Sequence, residues 1–284
     1  MTKFKIRPAI YSRLPLSIAV AIAVMLAASP ASAQNGTKLD APAPAQAPAP
    51  ARSPAPASAT KAAILRKAES SYYILQSQGL KSFQCIVQPN WAESVPDLSQ
   101  LALVSQIKFS AVIDDQGGVQ VAPFLPNGGT VDPSVSQLVG GLQGTISGFF
   151  QTWNGLVFSP LLPDPTDKDI IFSAQADGFH FAKKSQDTSV DLVLTKNGLL
   201  TDMKVVTPSV AVALQPSYIA TDKGLLLVGA NSDLNNGSQK VVFQMQYQDV
   251  EGFELPVMVA YQVTLPNQVV SIDLSFADYK IVKQ

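Results

Sequence analysis

Val241-Val242-Phe243-Gln244-Met245-Gln246-Tyr247-Gln248, followed after a short break by Val257-Met258-Val259-Ala260-Tyr261-Gln262-Val263-Thr264-Leu265, decides how this chain folds. In the first stretch Val241, Phe243, Met245 and Tyr247 alternate with a set dominated by glutamine; in the second Val257, Val259, Tyr261, Val263 and Leu265 alternate in the same way. A period of two places one set of side chains on each face of a strand, so each stretch reads as a strand with one apolar and one wetted face. Downstream, Val270, Ile272, Leu274 and Phe276 continue the pattern, and the apolar parity then shifts by one to Tyr279 and Ile281. One extra residue in a strand produces that shift, which predicts a β-bulge near Ala277-Asp278.

Upstream, Leu225 to Ala230, Leu200 to Val206 and the alternating Val190, Leu192 and Leu194 read as further strands, with Asn197-Gly198 as a turn. Asp177-Gly178 between Ile170 to Ala174 and Phe179 to Ala182 is a strong hairpin signal. Ser82 to Gln88, Gln106 to Ile113 and Val119 to Ala122 complete the strands. Short turns between alternating strands imply antiparallel meander pairing.

Two longer helices punctuate this pattern. Lys61 to Gln78 carries Ile64, Leu65, Ala68, Tyr72 and Leu75 at helical spacing, with Thr60 as N-cap and Gly79 as stop. Pro133 to about Trp153 begins behind a capping Asp132 and carries Val135, Leu138, Val139, Leu142, Ile146, Phe149, Phe150 and Trp153 as an apolar face. Gly140, Gly144 and Gly148 form a separate stripe on it, which implies either close backbone packing or a helix that loosens, since an interior glycine costs up to about 1 kcal/mol against alanine. Residues 90–104 carry no decisive period; Asp97 offers a cap for a short helix through Val104. The expected fold class is α+β, mainly antiparallel β: a curved open sheet or half-barrel covered by about two helices.

The amino-terminal residues read differently. Lys3, Lys5, Arg7 and Arg13, the apolar run Leu14 to Ala28, and Ala31-Ser32-Ala33 form the three regions of a secretory signal peptide over residues 1–33, with cleavage expected after Ala33. Residues 34–60, with alternating alanine and proline from Ala41 to Pro50, are expected to be an extended linker, and residues 61–284 a single domain. The longest later apolar stretch, Leu138 to Phe158, is interrupted by Gln143, Thr145, Ser147, Gln151, Thr152 and Asn154, so no integral membrane span is expected after cleavage. A periplasmic or secreted location follows as the expectation.

The whole chain has 20 basic and 21 acidic residues; without the four basic residues of the leader, 16 basic face 21 acidic. A net negative domain does not fit a nucleic-acid partner or electrostatic docking on anionic lipid. The single cysteine, Cys85, cannot form an internal disulfide and lies in a strand-like run as a small apolar residue. No G-x-S-x-G elbow, P-loop, H-E-x-x-H or EF-hand pattern occurs. The lone His180 lies between Phe179 and Phe181 without companion ligands, and the aspartates at 114, 115, 164 to 169 and 222 fall in turn-like sequence where they cap backbone. Catalytic and metal residues are therefore read as none, cofactors as none, and the protein as not an enzyme; a carboxylate hydrolase is the least supported class.

The order of elements, with Val250-Glu251-Gly252-Phe253-Glu254-Leu255-Pro256 and the ending Ile272-Asp273-Leu274-Ser275-Phe276-Ala277-Asp278-Tyr279-Lys280-Ile281, resembles the lipoprotein-carrier superfamily of periplasmic proteins typified by LolA and LolB. The resemblance covers roughly residues 61–284 and is clearest after 240. It implies a strongly curved, incomplete β-barrel lidded by helices, with an apolar interior that holds acyl chains. The chain departs from that pattern in its alanine-proline spacer, its extra length and its glycine-rich central helix, and no ligand-contacting residue carries over one for one.

Two functions follow as expectations. The first is a carrier or binder of a hydrophobic small molecule, lipid or lipoprotein acyl chain, in an apolar pocket lined by Phe149, Phe150 and Trp153 from the helix and by Phe243, Met245, Val259, Tyr261 and Leu274 from the sheet. It expects open space beneath helix 133–153. The second is a cell-envelope protein-interaction or scaffold module in which the same residues are packed core.

Overall fold

The computed structural model describes residues 60–95, 98–185, 187–235, 237–266 and 268–284. The expected signal peptide, nearly all of the linker, and the expected cap at Asp97 lie outside the described residues. Helix α1 (Lys61–Glu69) is followed by strand β1 (Leu80–Pro89), short helices α2 (Trp91–Ser94) and α3 (Leu98–Val104), and the hairpin β2 (Lys108–Ile113) and β3 (Val119–Phe124). A 3-10 turn (Pro133–Val135) opens helix α4 (Ser136–Trp153), which ends in a π turn (Asn154–Phe158). Nine strands follow: β4 (Ile171–Ala174), β5 (Gly178–Lys184), β6 (Ser189–Thr195), β7 (Leu200–Val206), β8 (Ala211–Thr221), β9 (Gly224–Leu234), β10 (Gln239–Val250), β11 (Phe253–Leu265) and β12 (Gln268–Lys283).

All strands join one twelve-stranded sheet in the order β3-β2-β1-β12-β11-β10-β9-β8-β7-β6-β5-β4, and each neighbouring pair is antiparallel. This is an open antiparallel sheet with few helices, the α+β class that alternation predicts. Among the described strands the one pairing between elements distant in sequence is β1 with β12, which brings the two ends of the domain together. The parity shift in β12 appears as a register shift: Gln84 pairs with Lys280 and Ile86 with Ala277, so β12 spends one residue more than β1, and Asp278 sits at φ 54° in the left-handed region.

The sheet bends around α4. The indole Nε1 of Trp153 donates to the Tyr247 hydroxyl on β10 at 3.2 Å, while the next residue, Asn154, donates from Nδ2 to the Gly117 carbonyl in the β2–β3 turn at 2.7 Å. In a flat sheet β2 and β10 would lie about 19 Å apart, at roughly 4.8 Å per strand. Adjacent residues reach both because the sheet curls. Gln143 Nε2 donates to the Val121 carbonyl of β3 at 2.7 Å, so the helix also covers this edge strand.

Helix α1 is shorter than its periodicity predicts, ending at Glu69 rather than near Gln78. Tertiary backbone bonds win beyond that point: Leu225 N donates to Ser71 O, Tyr73 N to Leu225 O, Leu75 N to Val157 O and Gln76 N to Phe158 O. The buried Tyr72 hydroxyl donates to Gly198 O at 3.0 Å and accepts from Leu200 N at 2.6 Å. Residues 71–76 thus form a strap across one end of the bent sheet. Tyr72→Phe removes both hydroxyl bonds from a dry site and is expected to cost about 1–3 kcal/mol in chemical denaturation.

At the other end of α1, Lys61 Nζ donates to the Asp167 carbonyl at 2.5 Å, and Lys183 Nζ on β5 meets the Asp167 carboxylate at 2.6 Å. Lys183, and then the Asp169 N–H, hold the Asp167 carboxyl below its usual range. A depressed folded pKa stabilises above the unfolded value of about 3.9, and this contribution is lost as pH falls through the folded value. Asp167→Asn is expected to flatten that acid limb of the stability-versus-pH curve, measured by denaturant titration at successive pH values.

Candidate ligand site beneath the central helix

Helix α4 starts where the sequence provides for it: Asp132 Oδ1 accepts from Ser134 N at 2.8 Å and Pro133 occupies the first turn. Its 3.6-residue period then turns Val139, Leu142, Ile146, Phe149, Phe150 and Trp153 onto one buried stripe. The facing wall comes from cross-strand rows. Phe243 pairs with Tyr261 and Tyr261 with Ile272; Met245 pairs with Val259 and Val259 with Leu274. Residues opposite one another across a ladder share a face, so the sheet residues expected at the site form two adjacent rows.

The structure therefore brings together every residue nominated from the sequence: Phe149, Phe150, Trp153, Phe243, Met245, Val259, Tyr261 and Leu274 are each no more than 6% exposed. The aromatic ones, Phe149, Phe150, Trp153, Phe243 and Tyr261, meet as packed rings. Phe149 lies 6.2 Å from Phe243 and 5.6 Å from Phe276 between centroids, and Phe150 lies 5.6 Å from Phe276 in an edge-on contact. Phe83 from β1 joins Phe150 at 6.2 Å and Trp153 at 5.9 Å, and Phe243 stacks on Tyr261 at 6.3 Å. The expectation that the helix stands off the sheet and leaves room beneath it is corrected here: the rings interlock. A cavity of about 10 Å³, space for about one water, lies elsewhere, between Pro163, Ile170, Phe181, Ala182, Lys183, Val190 and Leu192.

Few polar contacts fasten the helix. Among the described residues its side-chain hydrogen bonds to the rest of the domain are Trp153 to Tyr247, Gln143 to Val121 and, from the π turn that continues it, Asn154 to Gly117; that turn also accepts backbone bonds from Leu75 and Gln76 at Val157 and Phe158, and the rest of the helix's hold is apolar. Gly140 and Gly141 distinguish the two explanations for glycine in this helix. A Cβ at either would meet no atom within 4 Å, so close packing does not require these two, and their helix-weakening cost remains. Gly148 is buried, and its carbonyl accepts from the Thr152 hydroxyl at 3.0 Å.

Cys85, an apolar strand residue by its sequence, lies fully buried on the inward face of β1 between Phe83 and Val87. Burial pushes its thiol up to about 12, against a hydrogen bond with Tyr279 that lowers it. A thiol that stays protonated at neutral pH is a poor nucleophile, so Cys85 is expected to be inert to a thiol-reactive dye at pH 8 in native protein and to react fully in denaturant. Burial likewise raises the Tyr247 and Tyr261 phenols. His180 is partly exposed on β5 with Nε2 at 3.2 Å from Asp191 Oδ1, a satisfied strand residue. Among the described residues no group of three or more His, Cys, Asp or Glu stands close enough to hold a metal ion, and no helix is long and apolar enough to cross a membrane.

Phe83, Phe276 and Tyr279 belong to the same ring cluster. Alternation in β12 placed Phe276 on the apolar face, and the inward parity of Phe83, Cys85 and Val87 in β1 was available as well. No family model, curated protein or solved structure matches this chain.

Proposed function

We propose that this domain is an exported, non-enzymatic carrier of a hydrophobic ligand, an acyl chain of a lipid or lipoprotein, and that α4 is a plug which the ligand displaces from the concave face. The supporting observation is the pairing of a continuous apolar wall with an inserted helix weakened by Gly140 and Gly141. With the helix in place the interior is full, so a guest enters only as α4 leaves. The acyl chain then replaces Phe149, Phe150 and Trp153 against Phe243, Val259 and Leu274, exchanging one apolar contact surface for another of similar area. The likeness to lipoprotein carriers in element order agrees with this use. A leader at residues 1–33 would deliver the domain to the periplasm or exterior, where such cargo must cross water.

Native mass spectrometry of protein purified from its own envelope, followed by solvent extraction, tests this. Stoichiometric lipid, or uptake of a fluorescent acyl probe by stripped protein, is expected. Lipid-free protein that takes up no probe would leave the second use, a scaffold or interaction module, which the interlocked rings favour by themselves.

A further inference from the structure

Two phenols on the inner wall lack an oxygen acceptor. The Tyr218 hydroxyl on β8 is buried and has no hydrogen-bond partner. Its ring meets Tyr72 edge-on at 5.2 Å, and its cross-strand partner is the buried Leu227, which sets it on the inward face. The Tyr247 hydroxyl, two strands away, accepts from Trp153 Nε1, but its own proton points only to the Met245 sulfur at 3.8 Å, a weak acceptor. A buried donor without an acceptor costs free energy that a fold ordinarily avoids; Tyr218 on β8 is one such donor, beside Tyr72 of the strap, and Tyr247 on β10, with only a sulfur acceptor, stands against Trp153 at the C-terminal end of α4. No Lys, Arg or His is among the fully buried residues described, so a buried carboxylate would lack a counter-ion, whereas a neutral carbonyl would need only the donors.

We propose that Tyr218, with Tyr247, anchors the polar end of the guest: the carbonyl oxygen of an acyl ester accepts from the Tyr218 hydroxyl, and from Tyr247 once Trp153 has withdrawn. This rests on the carrier function proposed above and narrows its ligand to esterified acyl chains over free fatty acids and hydrocarbons. Displacement of a fluorescent acyl probe by methyl dodecanoate, dodecanoate and dodecane, in wild-type and Tyr218→Phe protein, tests it. The ester is expected to compete best with wild type. Tyr218→Phe should weaken ester binding up to about tenfold, the loss of one hydrogen bond, leave dodecane unchanged, and leave the melting temperature unchanged or raised because no bond is lost from the unliganded protein. Equal affinity for ester and dodecane, or a lower melting temperature with unchanged ester affinity, would overturn the anchor while leaving the carrier intact. Failure of wild type to take up the probe at all would overturn the carrier, and the anchor with it.

Discussion

Phe150→Ala lowers the unfolding free energy by about 3–5 kcal/mol, the cost of removing a fully buried aromatic ring whose site cannot collapse. Phe150 is 0% exposed and touches Phe83, Phe149, Trp153 and Phe276, which come from β1, α4 and β12. Those neighbours are held by the β1–β12 ladder and the helix, so little can move in to fill the gap. Urea titration measures the loss; the slope with denaturant should stay constant, since the folded surface is unchanged. The variant should also take up a small apolar molecule such as benzene, because a void lined by aromatic and aliphatic groups stays dry. A loss below about 1 kcal/mol would contradict the packing, since truncation of a closely packed ring costs more than that.

Gly140→Ala with Gly141→Ala is expected to act in the opposite direction on stability and to impair function. Both positions open onto empty space, so added methyl groups meet no neighbour and strengthen the helix by up to about 1 kcal/mol each. If the guest enters through a state in which α4 has loosened, that state becomes rarer by the same amount, and uptake of an acyl probe slows by up to about 30-fold for 2 kcal/mol. Stopped-flow fluorescence of probe uptake, with thermal denaturation alongside, separates the effects. Higher stability with unchanged uptake rate would show that the helix does not need to loosen.

Which parts of this were legible before the structure follows from what periodicity measures. Alternation marks a face, so β10, β11 and β12 were readable to within a few residues, and the parity slip in β12 located its bulge at Asp278. Strand β8 is less legible, because Pro216 interrupts its alternation and proline is uncommon inside a sheet. Pro216 nonetheless pairs with Ala230, beside the register shift at Ser217/Tyr218. Tyr218 lies in this strand. Periodicity overextends helix α1 because Tyr72 and Leu75 fit a helical stripe, while their partners Gly198, Leu225 and Val157 lie far along the chain. At the candidate site the identity and inward direction of the side chains were legible, but the fit of Phe149 and Phe150 against Phe243 and Phe276 was not. Periodicity says which residues face each other; only the bend of the sheet says whether space is left between them.

Hydrogen exchange of protein before and after loading with methyl dodecanoate tests the displaceable plug most directly. Loading is expected to strip protection from the α4 amides of Leu138 to Trp153 while those of β10, β11 and β12 stay protected, because the guest takes the helix's place against an intact wall. An ester-bound protein whose α4 amides keep or gain protection would contradict it.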